Sequence, residues 1–430
     1  ANTPNMMKEN GRECVFKSFK KSVSPKGFPV LKAIVIHRDP FRPRSTDCPH
    51  TVTIIGIDNQ NDPFSKQKRV FVQCDCVPGT MKVQTPDGFK TIYSIAEPFT
   101  GELSKTYLVD GKEYLGTAPF HVGRKPVFRL TLSNGAFVEG TEDHRFRVID
   151  SDGSVRWRAI KDIQSGDTFK LSKHRFPDAP EKTSKYYEQQ FLGYMQGDGS
   201  ITQKPDLQIP ENSDKVEFLE RLIELGLVAN VSECTGKAVL RVAFTSRAKE
   251  LFARYSYDGV NAPTWENHSQ FLGYLSGLIC ADGTVSSNKG RVGTMRICGA
   301  ESYLRPVFEY LLHLGMTFTR LRLERKAGTQ TNIATSTKDM YALEFRAEDF
   351  KWLLDNLDLT GRFHSYEFKK FRNVKAKAKV TSKTYVGKRD VYDITVERRH
   401  AFVMDGAAVA HNCENFCYMW EYALAERGAT

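Results

Sequence analysis

No apolar run in the 430 residues approaches the 18 or so needed to span a bilayer, so no helical membrane span is expected. The opening residues 1–8 lack the apolar core of a signal peptide. The cysteines number nine, odd and unevenly spaced, which argues against a disulfide framework and for reduced thiols in a cytoplasmic compartment. What the chain does have is positive charge. Lys and Arg number 62 against 51 Asp and Glu, a formal charge of +11 that favours a polyanionic partner. With 40% apolar and 26% charged residues the composition is that of an ordinary globular protein, and the length points to two or three domains.

Regions of different texture are nested. Residues 1–75 hold strand-like runs at 30–36, 51–55 and 69–72 between Pro-rich turns, too little chain for a good core, and end at Cys74-Asp75. From Cys76 onward short strands follow one another. An alternating segment turns at Asp87-Gly88, a hairpin signal, and further strand residues lie at 126–132 and 136–139. Thr141 and His144 stand three apart just before an apolar strand. Between 181 and 372 helical patterns alternate with strands, and the segment repeats: residues 191–199 align with 275–283, which sets Asp198 and Asp282 84 positions apart. The word Phe-Leu-Gly-Tyr also recurs, at 191 and 271, one helical turn out of register with that alignment.

Residue types in the repeat have a physical reading. Gly193 and Gly197, like Gly277 and Ala281, are four apart on one helix face, where small side chains let two helices pack backbone to backbone. Each helix is expected to stop at the Gly that follows its Asp. Two carboxylates would then meet at one point and need a divalent cation to tolerate each other, the layout of metal-assisted phosphodiester cleavage. Downstream, 216–226 repeats as 304–315, and each half reads helix, strands, helix, strands, helix. Arg241, Arg291, Arg296, Arg320, Arg322, Arg325 and Lys326 line the expected strands as candidate phosphate and base-edge contacts.

After a basic linker at 368–379, strand residues return at 391–396, and the chain reaches His411-Asn412-Cys413. An Asn side-chain amide can attack its own carbonyl carbon, closing a succinimide and breaking the bond to the next residue. A neighbouring imidazole can protonate the leaving amide, and a thiol is the best protein nucleophile near neutral pH.

Cys76 with its hairpin, Thr141 and His144, the 391–396 strand with His400, and the His411-Asn412-Cys413 end together resemble the blocks of a class 1 (Cys/Asn/Cys) intein. The two Asp-Gly helices resemble the LAGLIDADG motif of homing endonucleases. The resemblance covers residues 76–412 and implies a mixed fold. An all-β Hint (intein splicing) domain, 76–180 and 373–412, would be interrupted by an α+β LAGLIDADG endonuclease domain, 181–372, with two pseudo-symmetric αββαββα halves. The flanks 1–75 and 413–430 would be the two pieces of a host protein, the second reading as a short amphipathic helix from 414 to 430.

The resemblance also implies roles. Cys76 attacks the Asp75 carbonyl to form a thioester, while Thr141 and His144 strain, polarise and protonate that junction. Cys413 takes over the acyl group, with its thiol tuned by Asp393. Asn412 cyclises with help from His411 and His400, and a shift from sulfur to nitrogen joins Asp75 to Cys413. Splicing needs no cofactor. The endonuclease would hold Mg2+ on Asp198 and Asp282 and cut a double-stranded DNA site as a monomer, with the saddle of its two sheets in the major groove.

Three further expectations come with it. The family usually carries a Lys-x-x-Pro-like segment between its two motifs, whose Lys supports cleavage, and the stretch in that place, 259–263, has no lysine. This leaves two alternatives open: a lysine from elsewhere in the chain substitutes, or the inserted domain cuts slowly or only binds DNA. Cleavage without ligation, as in Hedgehog-type processing domains, is disfavoured by Cys413, a second nucleophile that pure cleavage does not need. Finally, joining the flanks would align Cys74, Cys413 and Cys417 as in a SWIM-type zinc segment, so that the spliced host would bind Zn2+, although no His follows Cys417 in this chain to supply the fourth ligand.

Overall fold

The computed structural model describes residues 76–412, apart from 99–101, 202–204, 212, 214, 235, 289–290, 331–335, 360–362, 364–365 and 369–374, together with the backbone of five strands ahead of Cys76. Those five, Met7–Glu9, Arg12–Val23, Pro29–Arg38, Pro49–Ile55 and Val70–Val72, pair in chain order as an antiparallel meander. Arg12–Val23 is the longest of them and was not expected from the sequence. Its Arg, Glu and Lys residues mask the alternation that marks a strand.

From Cys76 the chain builds one nine-stranded sheet out of segments more than two hundred residues apart. Its order is Phe137–Gly140, Phe120–Leu132, Lys377–Asp393, Thr168–Lys170, Arg145–Ile149, Val409–His411 and Ala401–Val403; Val155–Ala159 pairs with Arg145–Ile149, and Val77–Pro78 with Lys377–Asp393. The long strand Lys377–Asp393, which follows the inner unit, pairs with strands that precede it, Phe120–Leu132 along one edge and Thr168–Lys170 along the other. Strand alternation sets the faces: Phe146 and Val148 are buried inward while their neighbours in Arg145–Ile149 stay half-exposed.

Between the outer strands lie α2 (Ser184–Asp198), α3 (Val216–Glu224), α4 (Ser246–Arg254), α5 (His268–Asp282), α6 (Glu301–Leu314) and α7 (Ala347–Asn356), after a one-turn α1 (Ile92–Ile95) in the outer part. Each of α2 and α5 leads an αββαββα unit. The first unit's sheet runs Gly199–Ser200, Asp206–Pro210, Val239–Phe244, Val228–Glu233, and the second repeats that order with Thr284–Asn288, Arg291–Gly299, Met340–Arg346, Arg320–Arg325. No helix among the described residues is long and apolar enough to cross a membrane.

Helices α2 and α5 are buried nearly all round, as befits a central pair. A Cβ added at Gly193 would lie 2.0 Å from Tyr274 O, and one at Gly277 would lie 2.0 Å from Gln190 O. Shifting either number in the first pair by 84 gives the second, so the seam itself is two-fold symmetric. A Cβ at Gly197 would meet Ala281 Cβ at 2.5 Å. Gly273 joins the seam too, 2.3 Å from Tyr186 O on the same reckoning, so the out-of-register Phe-Leu-Gly-Tyr word contributes a second close approach from α5. The stops after the two Asp residues have a different cause from the one expected. Gly199 (φ −90°) and Gly283 (φ −60°) are extended, not left-handed, and a Cβ there would crowd Met195 O at 2.7 Å and Ile279 O at 2.4 Å.

The inner unit is fastened to the outer part through α6 and the strand Arg320–Arg325. Lys82 Nζ reaches Glu309 at 2.5 Å, Arg305 donates to Gly135 O at 2.7 Å, and Leu321 N donates to Asn134 O at 2.9 Å. Gly135 (φ +89°) is required at this joint, since a Cβ would sit 1.6 Å from Leu321 O.

Candidate functional site

At Cys76 the polypeptide enters the sheet beside the loop that carries Thr141 and His144. The Cys76 N–H donates to Thr141 Oγ1 at 3.1 Å, and the Thr141 N–H donates back to Cys76 O at 2.9 Å. The loop closes on itself through His144 N to Thr141 O, 3.0 Å, and then becomes the strand Arg145–Ile149. His144 is fully buried, its ring edge-on to Phe146 (5.0 Å) and tilted against Phe402 (6.2 Å). Cys76 is also fully buried, packed with Val127 and Val391. Tyr392 pairs with Val77, so the next step of the register sets Asp393 beside Cys76; Asp393 Oδ1 accepts from Ile394 N at 2.8 Å.

The far end lies on the same sheet. Phe146 is paired with Ala410, and Phe402 with Ala410 from the other side, which carries His411 and Asn412 to the strand that follows the Thr141–His144 loop. Asn412 is fully buried and its N–H donates to His400 O at 3.1 Å. His400 holds a left-handed φ of 48°, uncommon for a non-glycine residue though less so for His. His411 packs edge-on to Trp157 at 4.8 Å, and Arg145 Nη2 lies 3.3 Å from its Nδ1. A guanidinium can only donate, so Nδ1 accepts and the proton of the neutral ring sits on Nε2. Cys413 and Asp75, like Cys74 and Cys417 of the zinc expectation, lie outside the described residues.

In the inner unit, α2 and α5 bring Asp198 and Asp282 to the same end of the seam. A Cβ on Gly197 would be 2.8 Å from Asp282 Oδ2. Lys215, just ahead of α3, sits across this end with Nζ 2.5 Å from Asp198 Oδ2 and 2.8 Å from Ala281 O. The stretch 259–263 has no lysine, and a lysine from elsewhere in the chain stands at the ends of the two motif helices. The lysine comes from the turn before α3 and not from 259–263, and no spacing rule could find it because α3 is placed by the first unit's tertiary packing. On the Asp282 side the neighbour is Tyr303, whose phenol is pushed above its ordinary value first by burial and then by the Asp282 charge. Two carboxylates and a backbone carbonyl are hard oxygen donors that suit a magnesium-type cation, which takes one or two carboxylates and fills its shell from water and phosphate. No cluster of three or more His, Cys, Asp and Glu that could hold a metal occurs among the described residues.

The basic strand residues divide into paired and open groups. Arg241 pairs with Asp206 (2.9 Å), Arg296 with Glu324 (3.2 Å), and Arg322 with Glu324 (2.6 Å) and Glu344 (2.7 Å). Arg320 and Lys326 are exposed, Arg325 is half-buried, and the side chain of Arg291 is outside the described residues. The sheet faces thus carry carboxylates among their guanidinium groups, which the sequence reading did not anticipate. Exposed pairs of this kind hold within about 1 kcal/mol, so a phosphate can exchange for them.

No family model matches the chain. The replicative DNA helicase DnaB of Rhodothermus marinus is 36% identical to it over 80 residues, which are 19% of this chain and 8% of that protein's length. Among solved structures, a DnaB intein from Synechocystis sp. PCC 6803 aligns with 79% of this chain and 99% of its own, at 9% identity and a TM-score of 0.28. The N-terminal LAGLIDADG domain of DUF199/WhiA aligns with 42% of this chain and 86% of its own (11% identity, TM-score 0.30). I-DmoI, solved with DNA and Ca, aligns with 41% and 91% (15% identity, TM-score 0.28). At such scores the superpositions add nothing to the strand order and the repeated αββαββα units already described. In motif order and in the architecture that carries those motifs, the chain resembles an intein interrupted by a LAGLIDADG endonuclease domain.

Proposed function

We propose that this chain splices itself, excising 76–412 and joining 1–75 to 413–430, and that its inner unit is an endonuclease for double-stranded DNA. The observation that carries the splicing reading is the reciprocal pair between Cys76 and Thr141. The N–H of the peptide bond to be broken is held by Thr141 Oγ1, so the nitrogen is fixed while its carbonyl carbon is attacked by Cys76 Sγ. His144, at the end of the same loop, is the general acid that protonates that nitrogen as it leaves. Cys413 then takes the acyl group from Cys76, and Asp393, beside Cys76 in the strand register, tunes the incoming thiol.

Release follows at Asn412. Its amide nitrogen closes on its own carbonyl carbon, and the bond to Cys413 breaks. Full burial keeps water from competing with the amide, and the bond to His400 O fixes the backbone around the reacting carbonyl. His411, held by Arg145 with its proton on Nε2, is the donor to the departing amide. The free α-amine of Cys413 finally attacks the thioester to give the Asp75–Cys413 peptide bond. The test is expression of the parent chain beside a Cys76→Ala, Asn412→Ala double variant under reducing conditions. The parent is expected to give two products and the double variant one whole chain; a parent that stays whole would sink the splicing reading.

For the inner unit, Asp198 and Asp282 would hold a divalent cation that supplies Lewis-acid stabilisation of a cleaved phosphodiester. Lys215 reaches both helix ends and is placed to neutralise charge where the phosphate is cut. This favours cutting over the binding-only alternative. Lys215→Met is expected to lower cleavage of duplex DNA encoding the joined flanks by about 10²-fold or more, with binding changed less than about threefold in a gel-shift titration. Equal cleavage by parent and variant would return the inner unit to a binding module.

A further inference from the structure

We infer that Lys125 is a catalytic residue of the first acyl transfer: its ammonium holds the Cys76 sulfur as the attacking thiolate. This rests on the splicing reading. The observation is a contact between two positions 49 apart in sequence. Lys125 lies on the strand Phe120–Leu132, half-buried, and its Nζ is 3.4 Å from Cys76 Sγ. The strand pairing makes this contact a property of the fold. Phe120–Leu132 and Val77–Pro78 both pair with Lys377–Asp393, so they converge on the stretch around Val391, and Cys76 packs there with Val127.

A cation at this sulfur changes its chemistry. Cys76 is fully buried, and burial in apolar surroundings disfavours a thiolate, whereas a neighbouring ammonium favours it. Two other cationic or titratable groups nearby are already engaged. Arg389, opposite Lys125 across the strand pair, turns its guanidinium to Glu139 at 3.3 Å, and His121 pairs with Asp390 at 3.2 Å. In the transfer the thiol gives up its proton, the C–S bond to the Asp75 carbonyl forms, and the C–N bond to Cys76 breaks. The nitrogen ends as an amine carrying the proton that the thiol lost, and Lys125 stays an ammonium throughout. Thr141 holds the nitrogen from the loop before Arg145–Ile149 and Lys125 holds the sulfur from the strand Phe120–Leu132.

The experiment isolates each end of the full chain. An Asn412→Ala, Cys413→Ala background reports thiol-induced cleavage at Cys76, and a Cys76→Ala background reports cleavage after Asn412. The quantity read is the first rate divided by the second, so a general loss of folding cancels. Lys125→Gln is expected to lower this ratio about tenfold or more, and Lys125→Arg to keep it within about threefold. A ratio that Lys125→Gln leaves unchanged, or that Lys125→Arg lowers equally, would overturn the assignment. Absence of thiol-induced cleavage in the background with Lys125 intact would instead count against the splicing reading itself.

Discussion

A His144→Ala chain is expected to cleave at Cys76 about 10²-fold more slowly than its parent in the presence of excess thiol, while cleavage after Asn412 proceeds within about threefold of normal. The effect is large because the leaving nitrogen of a peptide bond must be protonated, and His144 is tied to the Cys76–Thr141 pair through its own backbone. The two rates also separate chemistry from structure. His144 packs against Phe402, and Phe402 pairs with Ala410, the residue before His411. If the substitution acted only by loosening that packing, the Asn412 side would slow as well, and both rates would fall together.

In an uncleaved Cys76→Ala, Asn412→Ala chain, Gly277→Val is expected to lower stability by about 3 kcal/mol or more, read by denaturant unfolding. A Cβ at 277 would stand 2.0 Å from Gln190 O and 2.7 Å from Tyr194 N. Both neighbours are backbone, so no rotamer change relieves the clash and α2 must move away from α5. The symmetric Gly193→Val should cost a similar amount, since its Cβ would meet Tyr274 O at the same distance. Gly293→Ala serves as the control, its Cβ meeting Ser286 O at an ordinary 3.4 Å. A variant at 277 as stable as the control would mean that α2 and α5 do not meet backbone to backbone at this glycine.

These two cases also mark what the sequence could and could not disclose. The seam was legible because it is local. Small residues four apart on one helix, repeated at a fixed offset of 84, state their packing without reference to any other element. The repeated αββαββα order was legible for the same reason, since each helix and strand announces its own period. Cys76, Thr141, His144, His411 and Asn412 could be named because each sits in a short word that resembles an intein block in the expected order. Lys125, Arg145 and Lys215 could not. Each makes its contact across a pairing or a helix approach that exists only in the folded chain, Arg145 to His411 over 266 positions, for example. The Gly199 and Gly283 stops show a subtler miss: the residue type was expected, but crowding against the preceding helical turn, not a left-handed φ, is what requires it. Charge hid the rest, in the lysine-rich strand Arg12–Val23 and in the carboxylates that pair with Arg241, Arg296 and Arg322.

The decisive measurement is tandem mass spectrometry of the tryptic digest from freshly expressed parent chain. Splicing yields a peptide that runs from Val70 through Asp75 directly into Cys413 and on to Arg427, together with an excised product that begins at Cys76 and ends at Asn412 as a succinimide or its hydrolysed form. Peptides ending at Asp75 and beginning at Cys413, with no peptide that joins them, would mean cleavage without ligation and would contradict the proposed function.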